Sequence, residues 1–282
     1  MIPAAFDYVR PGSLDEALQA LGKPNSKVIA GGQSLLPLMK LRLARPDMLV
    51  DIGGLSDLVG IRYGPDGGVE VGALTTYEQV IADTRLDWVR DAISDVADVQ
   101  VRNRGTVGGS IAHADPGADL PAIAIALGFS AVLRSPGGER VVPLDGFCTG
   151  PFQTAIEADE ILVAIRRGPL PDGAGGAYQK LAQPASGFAI VGIAAVVARS
   201  GGSVSHARIG VTGVADRAYR ATAVEDALVG SDGSASAIEA ASAHVTDGMS
   251  VNSDIHADAA YRTAMAAVHT RRAIEAALGR SA

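Results

Sequence analysis

The sequence predicts an α+β fold in two parts, and three observations carry that reading. Short runs of Val, Ile and Leu alternate with segments of helical spacing through residues 1–172. A Gly- and Pro-rich stretch over 169–176 interrupts the pattern and marks a boundary or hinge. Beyond it, residues 189–199 and 204–214 read as two long apolar strands joined through Ser200-Gly201-Gly202-Ser203, a hairpin signature. A chain of 282 residues is long enough for two modest cores.

The elements follow in order. Residues 1–55 read as helix, strand, helix, strand. Ser13 and Glu16 form a capping box, and Leu14, Ala17, Leu18 and Leu21 share one helical face before Gly22. Residues 27–30 form a strand that delivers the chain into a glycine pair. Residues 35–43 are apolar at helical spacing, and 48–52 form a strand ended by Gly53-Gly54. A strand over 69–73 opens the next segment. Thr75 to Glu78 then caps a helix running to about Ala82, and a further helix covers 88–97. Residues 105–119 carry Gly, Pro, Asp, Ser and His with little periodicity, so they are expected to be irregular and functional. Asp119 is placed as the N-cap of a helix over 120–127, ended by Gly128. Two strands flank Pro136-Gly137-Gly138, and 160–166 form another. In the second part, Thr222 to Glu225 caps a helix ending at Gly230, and 259–278 form a long Ala-rich helix.

Composition excludes several classes. Hydrophobic residues make up 48% and charged residues 20%, as in ordinary soluble globular domains. Aromatics reach only 4%, so the core must come from Ala, Val, Ile and Leu. The formal charge of −7 argues against a nucleic-acid partner, and Arg102 with Arg104 is too small a basic cluster to change that. Cys148 is the only cysteine, which excludes an intrachain disulfide, an iron–sulfur cluster or a thiolate zinc site. A lone thiol fits a reducing cytoplasm. No signal peptide and no membrane span are visible. The histidines lack metal-ligand spacing and there is no G-x-S-x-G elbow, so neither a metal site nor a catalytic residue is expected on this chain.

Two segments carry the chemistry: Ala30-Gly31-Gly32-Gln33-Ser34-Leu35 and Thr106-Val107-Gly108-Gly109-Ser110. Glycines without a Cβ let backbone N–H groups approach an anion, and positive φ is open to them. Adjacent hydroxyls and the Gln33 amide add neutral donors. If the two loops converge, they can hold a diphosphate without a lysine. Neither segment is the G-x-G-x-x-G fingerprint or a P-loop. One Gly-Gly pair after a strand is most often only a turn. Asp115 and Asp119, just past the second pair, could accept hydrogen bonds from a ribose or an adenine amine. Their plainer roles are an Asx-turn before Pro116 and the helix cap.

The stretches 30–40 and 105–122 resemble the FAD-binding medium subunit of the molybdenum hydroxylases, the family of aerobic carbon monoxide dehydrogenase and xanthine dehydrogenase. The resemblance continues through Phe6-Asp7-Tyr8, 159–162, 177–180 and 187–230. It implies a two-lobed FAD-binding domain over 1–172, with lobes of about 1–55 and 56–172, followed by a smaller sheet-and-helix C-terminal domain over 177–282. Ala30, Gly31, Gly32, Gln33, Ser34 and Leu35 would wrap the FAD diphosphate, with Thr106, Gly109 and Ser110 closing the cradle. Ser110 stands where many relatives carry Asn. Asp119, with Asp115 a second candidate, would bind near the ribose or adenine. Leu162 would pack on the flavin, and Lys180 would reach it from the domain boundary; by spacing alone Lys180 also reads as a solvated strand-end charge. The implied function is electron transfer within a cytoplasmic hetero-oligomer. Electrons would arrive from an iron–sulfur small subunit and leave to an external acceptor, with molybdenum cofactor and iron–sulfur clusters held by partner subunits. The alternatives are a stand-alone FAD-dependent oxidase or dehydrogenase, and a flavin-free structural subunit.

Overall fold

The computed structural model describes residues 1–281. The first lobe is β1 (Asp7–Val9), α1 (Leu14–Leu21), β2 (Ser26–Ile29), α2 (Leu35–Lys40) and β3 (Met48–Asp51). Its strands form a parallel sheet in the order β1-β3-β2, so each connection must cross over, and the two helices do this. The Ser13 hydroxyl accepts the Glu16 N–H at 3.2 Å, and the Glu16 carboxylate accepts the Gly12 N–H at 2.8 Å. This cap starts α1 where the sequence placed it. Ala17, Leu18 and Leu21 then pack against Val50 and Ile52. β1 is absent from the sequence reading because Asp7-Tyr8-Val9 is short and mostly exposed.

The second lobe is built on an antiparallel sheet in the order β4-β5-β10-β6-β7. Its strands are β4 (Ile61–Tyr63), β5 (Val69–Gly72), β6 (Ser130–Ser135), β7 (Gly138–Pro143) and β10 (Ile161–Arg167), with β8 (Cys148–Gly150) and β9 (Gln153–Thr154) forming a separate ribbon. Between β5 and β6 run α3 (Tyr77–Ala82), α4 (Asp87–Ser94), α5 (Val99–Arg102), α6 (Val107–His113) and α7 (Asp119–Ala126). Three features differ from the expectation. The cap of α3 is Thr76 with Gln79, one residue beyond the Thr75–Glu78 pair, because the Thr75 hydroxyl is taken up by the backbone of Gly60. Residues 105–119 are not irregular throughout, because they contain α6; glycines at its start cost about 1 kcal/mol each relative to Ala and erase the periodicity. Asp119 is not the N-cap of α7. Ala118 occupies that position without a side-chain bond, and Asp119 is the first helical residue.

The C-terminal part is an antiparallel sheet of β11 (Gly175–Ala182), β12 (Ala189–Ser200), β13 (Ser203–Thr212) and β14 (Tyr219–Arg220), in that order, with α8 (Thr222–Leu228), α9 (Ala235–Ser242) and α10 (Ala259–Leu278). The predicted hairpin forms with Ser200 opposite Ser203. Gly201 and Gly202 have φ of 59° and 85°, the pair of left-handed residues that a two-residue turn between twisted strands needs. Thr222 does not cap α8; Ala221 precedes it with no side-chain bond. β12 sorts its side chains by alternation. Val191, Ile193, Ala195 and Val197 pack with Ala273 and Ile274 of α10, while Ala194 and Val196 join the core of the second lobe. A sheet covered on both faces reads as a continuous apolar run. α7 lies on the inner face, and its carbonyl at Ala122 approaches so near that a side chain at Gly210 would overlap it. Among the described residues no helix is long and apolar enough to cross a membrane.

Candidate functional site

The first glycine pair emerges from β2 and ends where α2 begins. Gly32 has a φ of 74°, which turns the chain, and its carbonyl accepts the Leu36 N–H at 3.1 Å to start the helix. The N–H groups of Gly31, Gly32, Gln33 and Ser34 find no acceptor among the described residues. The Gln33 amide turns back onto the Gly31 carbonyl at 3.3 Å, and the Gln33 and Ser34 side chains are exposed. The result is a consecutive row of unpartnered donors at a helix start, a concavity suited to an anion.

The second pair is brought against the first. A Cβ on Gly31 would overlap the Arg104 carbonyl and lie 3.1 Å from the Gly105 Cα, so only glycine allows the two segments to touch. The second pair itself is stapled to the turn after β5. Val107 N–H donates to Thr75 and Gly108 N–H to Ala73, at 2.9 and 2.8 Å. The Thr106 hydroxyl caps α6 by accepting the Gly109 N–H at 3.1 Å, and the Ser110 N–H donates to the Thr106 carbonyl at 3.0 Å. A side chain on Gly108 would run into both the backbone and the methyl of Ala73. In this pair the backbone donors are consumed, and the polar groups left are the hydroxyls of Thr106, itself buried, and of half-buried Ser110. Tyr77 lies behind them; burial pushes its phenol up to about 12, with the Ser110 hydroxyl and the Asp119 charge both close enough to act on it.

Asp119 and Lys180 meet each other. The carboxylate is 4% exposed and lies 3.0 Å from Lys180 Nζ, whose side chain is itself 8% exposed. The Tyr178 hydroxyl donates to the same carboxylate at 2.5 Å. Burial raises the Asp119 pKa, and Lys180 and Tyr178 pull it back down. Burial also drives the Tyr178 phenol well up, so its hydroxyl stays a donor. Lys180 further donates to the Asp95 carbonyl at 3.3 Å, so it is a buried, fixed cation and not a solvated strand-end charge. Tyr178 is the residue the sequence reading missed. It lies two positions from Lys180 on β11, and the period of a strand would have paired them. Asp115 is half-buried and accepts the Gly117 N–H at 2.8 Å, the Asx-turn expected of it. Leu162 on β10 is 5% exposed with its side chain in the core. Ala30 and Leu35 flank the first pair, half-buried. Among the described residues no cluster of His, Cys, Asp and Glu could hold a metal ion.

Known proteins resemble the chain over its whole length. Residues 4–167 match the family described as the FAD binding domain in molybdopterin dehydrogenase, and residues 176–277 match the CO dehydrogenase flavoprotein C-terminal domain. The chain is 42% identical to the carbon monoxide dehydrogenase medium chain of Hydrogenophaga pseudoflava over 288 positions, covering 100% of both. It is 30% identical to the xanthine dehydrogenase FAD-binding subunit of Escherichia coli O157:H7, covering 96% of this chain and 95% of the relative. A solved structure of the Hydrogenophaga pseudoflava carbon monoxide dehydrogenase, lacking the Mo-pyranopterin moiety, superposes with a TM-score of 0.96 at 43% identity, covering 100% of both chains. The chain therefore belongs to the FAD-binding medium subunits of the molybdenum hydroxylases, and is an oxidoreductase subunit.

Proposed function

We propose that the FAD diphosphate rests on the unpartnered N–H groups of Gly31, Gly32, Gln33 and Ser34, with Thr106 and Ser110 supplying hydroxyl donors from the opposite side. Ala30 and Leu35 bound this cradle, and Gly109 keeps its far wall open. The chain works as the electron-transfer subunit of a multisubunit molybdenum hydroxylase. Its partners are an iron–sulfur small subunit and a molybdenum-binding large subunit, and an external acceptor takes the electrons. Bound FAD supplies redox chemistry that joins one-electron input to two-electron output. The chain's own residues bind and orient it. Residues 1–172 form its two-lobed binding domain, with lobes of about 1–55 and 56–172, and 177–282 close over it from the C-terminal side. The Asp119–Lys180–Tyr178 group keeps a fixed buried cation on the boundary, where its field acts on the cofactor. Asp119 thus acts on FAD through Lys180, while Asp115 shapes the turn between α6 and α7. Leu162 supports the flavin from the sheet. A single buried thiol, Cys148, suits a cytoplasmic protein.

The observation that carries this reading is the row of four consecutive N–H groups with no protein acceptor. Its test is Gly32→Asp, which puts a like charge into the row. The flavin absorbance per protein in the purified complex falls to background in the variant. Stoichiometric FAD in that variant moves the diphosphate away from the first loop.

A further inference from the structure

A partly open cavity of about 180 Å³ lies between β5, β10, α4, α7 and the start of β11. Its walls include Val71, Ile93, Ile123 and Phe129, all buried and apolar. Its polar groups are charged. Arg85 is held in a fork by Asp83, at 3.0 and 2.9 Å, and Arg280 leans toward Asp91 at 3.8 Å and donates to the Gly176 carbonyl at 3.0 Å. Asp87 is exposed and pairs with none of the arginines.

Arg167 differs from the other two. One terminal nitrogen donates to the neighbouring Gly168 carbonyl at 2.8 Å, and its Nε is buried without an acceptor. No carboxylate lies within ion-pair distance of it among the described residues. The guanidinium approaches the Phe129 ring at 5.8 Å, so the cation sits directly beside the apolar wall. A partly desolvated guanidinium without a carboxylate is costly, and an anion on its remaining terminal nitrogen, which has no protein acceptor, removes part of that cost. An apolar cavity of about 150 Å³ is large enough to hold benzene.

We infer that this cavity binds a small apolar monocarboxylate of benzoate size, its ring or alkyl body in the void and its carboxylate on Arg167. The site is separate from the glycine loops, although Val107 lines it and also opens α6, so an occupant stiffens the wall behind the second pair. Calorimetric titration of the full chain with benzoate, benzyl alcohol and acetate tests the assignment. Benzoate is expected to bind about tenfold tighter than either of the others, since only it satisfies both void and cation. Arg167→Gln brings benzoate down to the level of benzyl alcohol, and Ala124→Phe, which fills the void, abolishes binding of both. Acetate binding as tightly as benzoate reduces the site to an anion contact and overturns the inference. So does benzoate affinity unchanged by Arg167→Gln. If Ala124→Phe does not fold, a crystal grown with benzoate decides, because density anywhere other than this cavity also overturns it.

Discussion

Around Gly31 and Gly32, four consecutive N–H groups have no protein acceptor, whereas around Gly108 and Gly109 every N–H from Val107 to Ser110 is consumed inside the fold. The dipeptides are the same and their uses differ. The first pair opens a row of donors and lets its own chain touch the Arg104 carbonyl. The second clears room for α6 to press on Ala73, and only its hydroxyls remain for a ligand. A Gly-Gly pair shows that a side chain is excluded at that point, and the surroundings decide whether a ligand or another part of the protein takes the space.

The largest test of this division lies just behind the second pair. Asp119→Ala leaves the Lys180 ammonium buried without its partner, and is expected to cost about 3–5 kcal/mol in urea unfolding. The double variant with Lys180→Met should recover much of that loss; if it does not, the ion pair is not the cause. Gly108→Ala comes next. Its new methyl meets Ala73, for an overpacking cost of about 1–3 kcal/mol with FAD per folded chain unchanged. Loss of FAD without loss of stability in that variant would erase the contrast with the first pair. Thr106→Val removes the cap on α6 and should cost about 1 kcal/mol in the same measurement.

The smallest effect is a pH slope at the end of α6. His113 is partly buried against Phe152, with ring centroids 5.1 Å apart, and burial lowers its pKa against an opposing pull from Asp115. Between that lowered value and the ordinary value of about 6.5, the unfolded chain binds more protons than the folded one. Stability therefore rises with pH through this window and is lost as pH falls through it. His113→Asn should flatten that part of the urea-midpoint profile, and an unchanged slope assigns it to the other buried histidines.

Local signals were the readable ones. The Ser13 cap, the Gly201-Gly202 turn and the helix over 259–278 each depend on residues within a few positions, and each forms where it was expected. α6 was hidden because glycine weakens a helix whatever its packing. β11 was hidden because Gly175 and Gly176 look like a boundary, although Gly176 is there to make room for the Trp88 indole. Missing that strand meant missing Tyr178. Asp119 was read as a cap because a carboxylate near a helix start has a local use, and nothing nearby in sequence announces Lys180.

The amino-acid sequence alone determined the class of fold, the cap of α1, the long hairpin and the two glycine segments that side chains cannot crowd. All of these follow from side-chain size, branching and backbone freedom, which act over a few residues. Only the tertiary structure decided which donors stay free and which charges are buried. Val107 and Gly108 lose their N–H groups to carbonyls at Thr75 and Ala73, and Lys180 loses its water to the Asp119 carboxylate and the Asp95 carbonyl. Whether a polar group is available depends on what lies against it, and those neighbours come from distant parts of the chain.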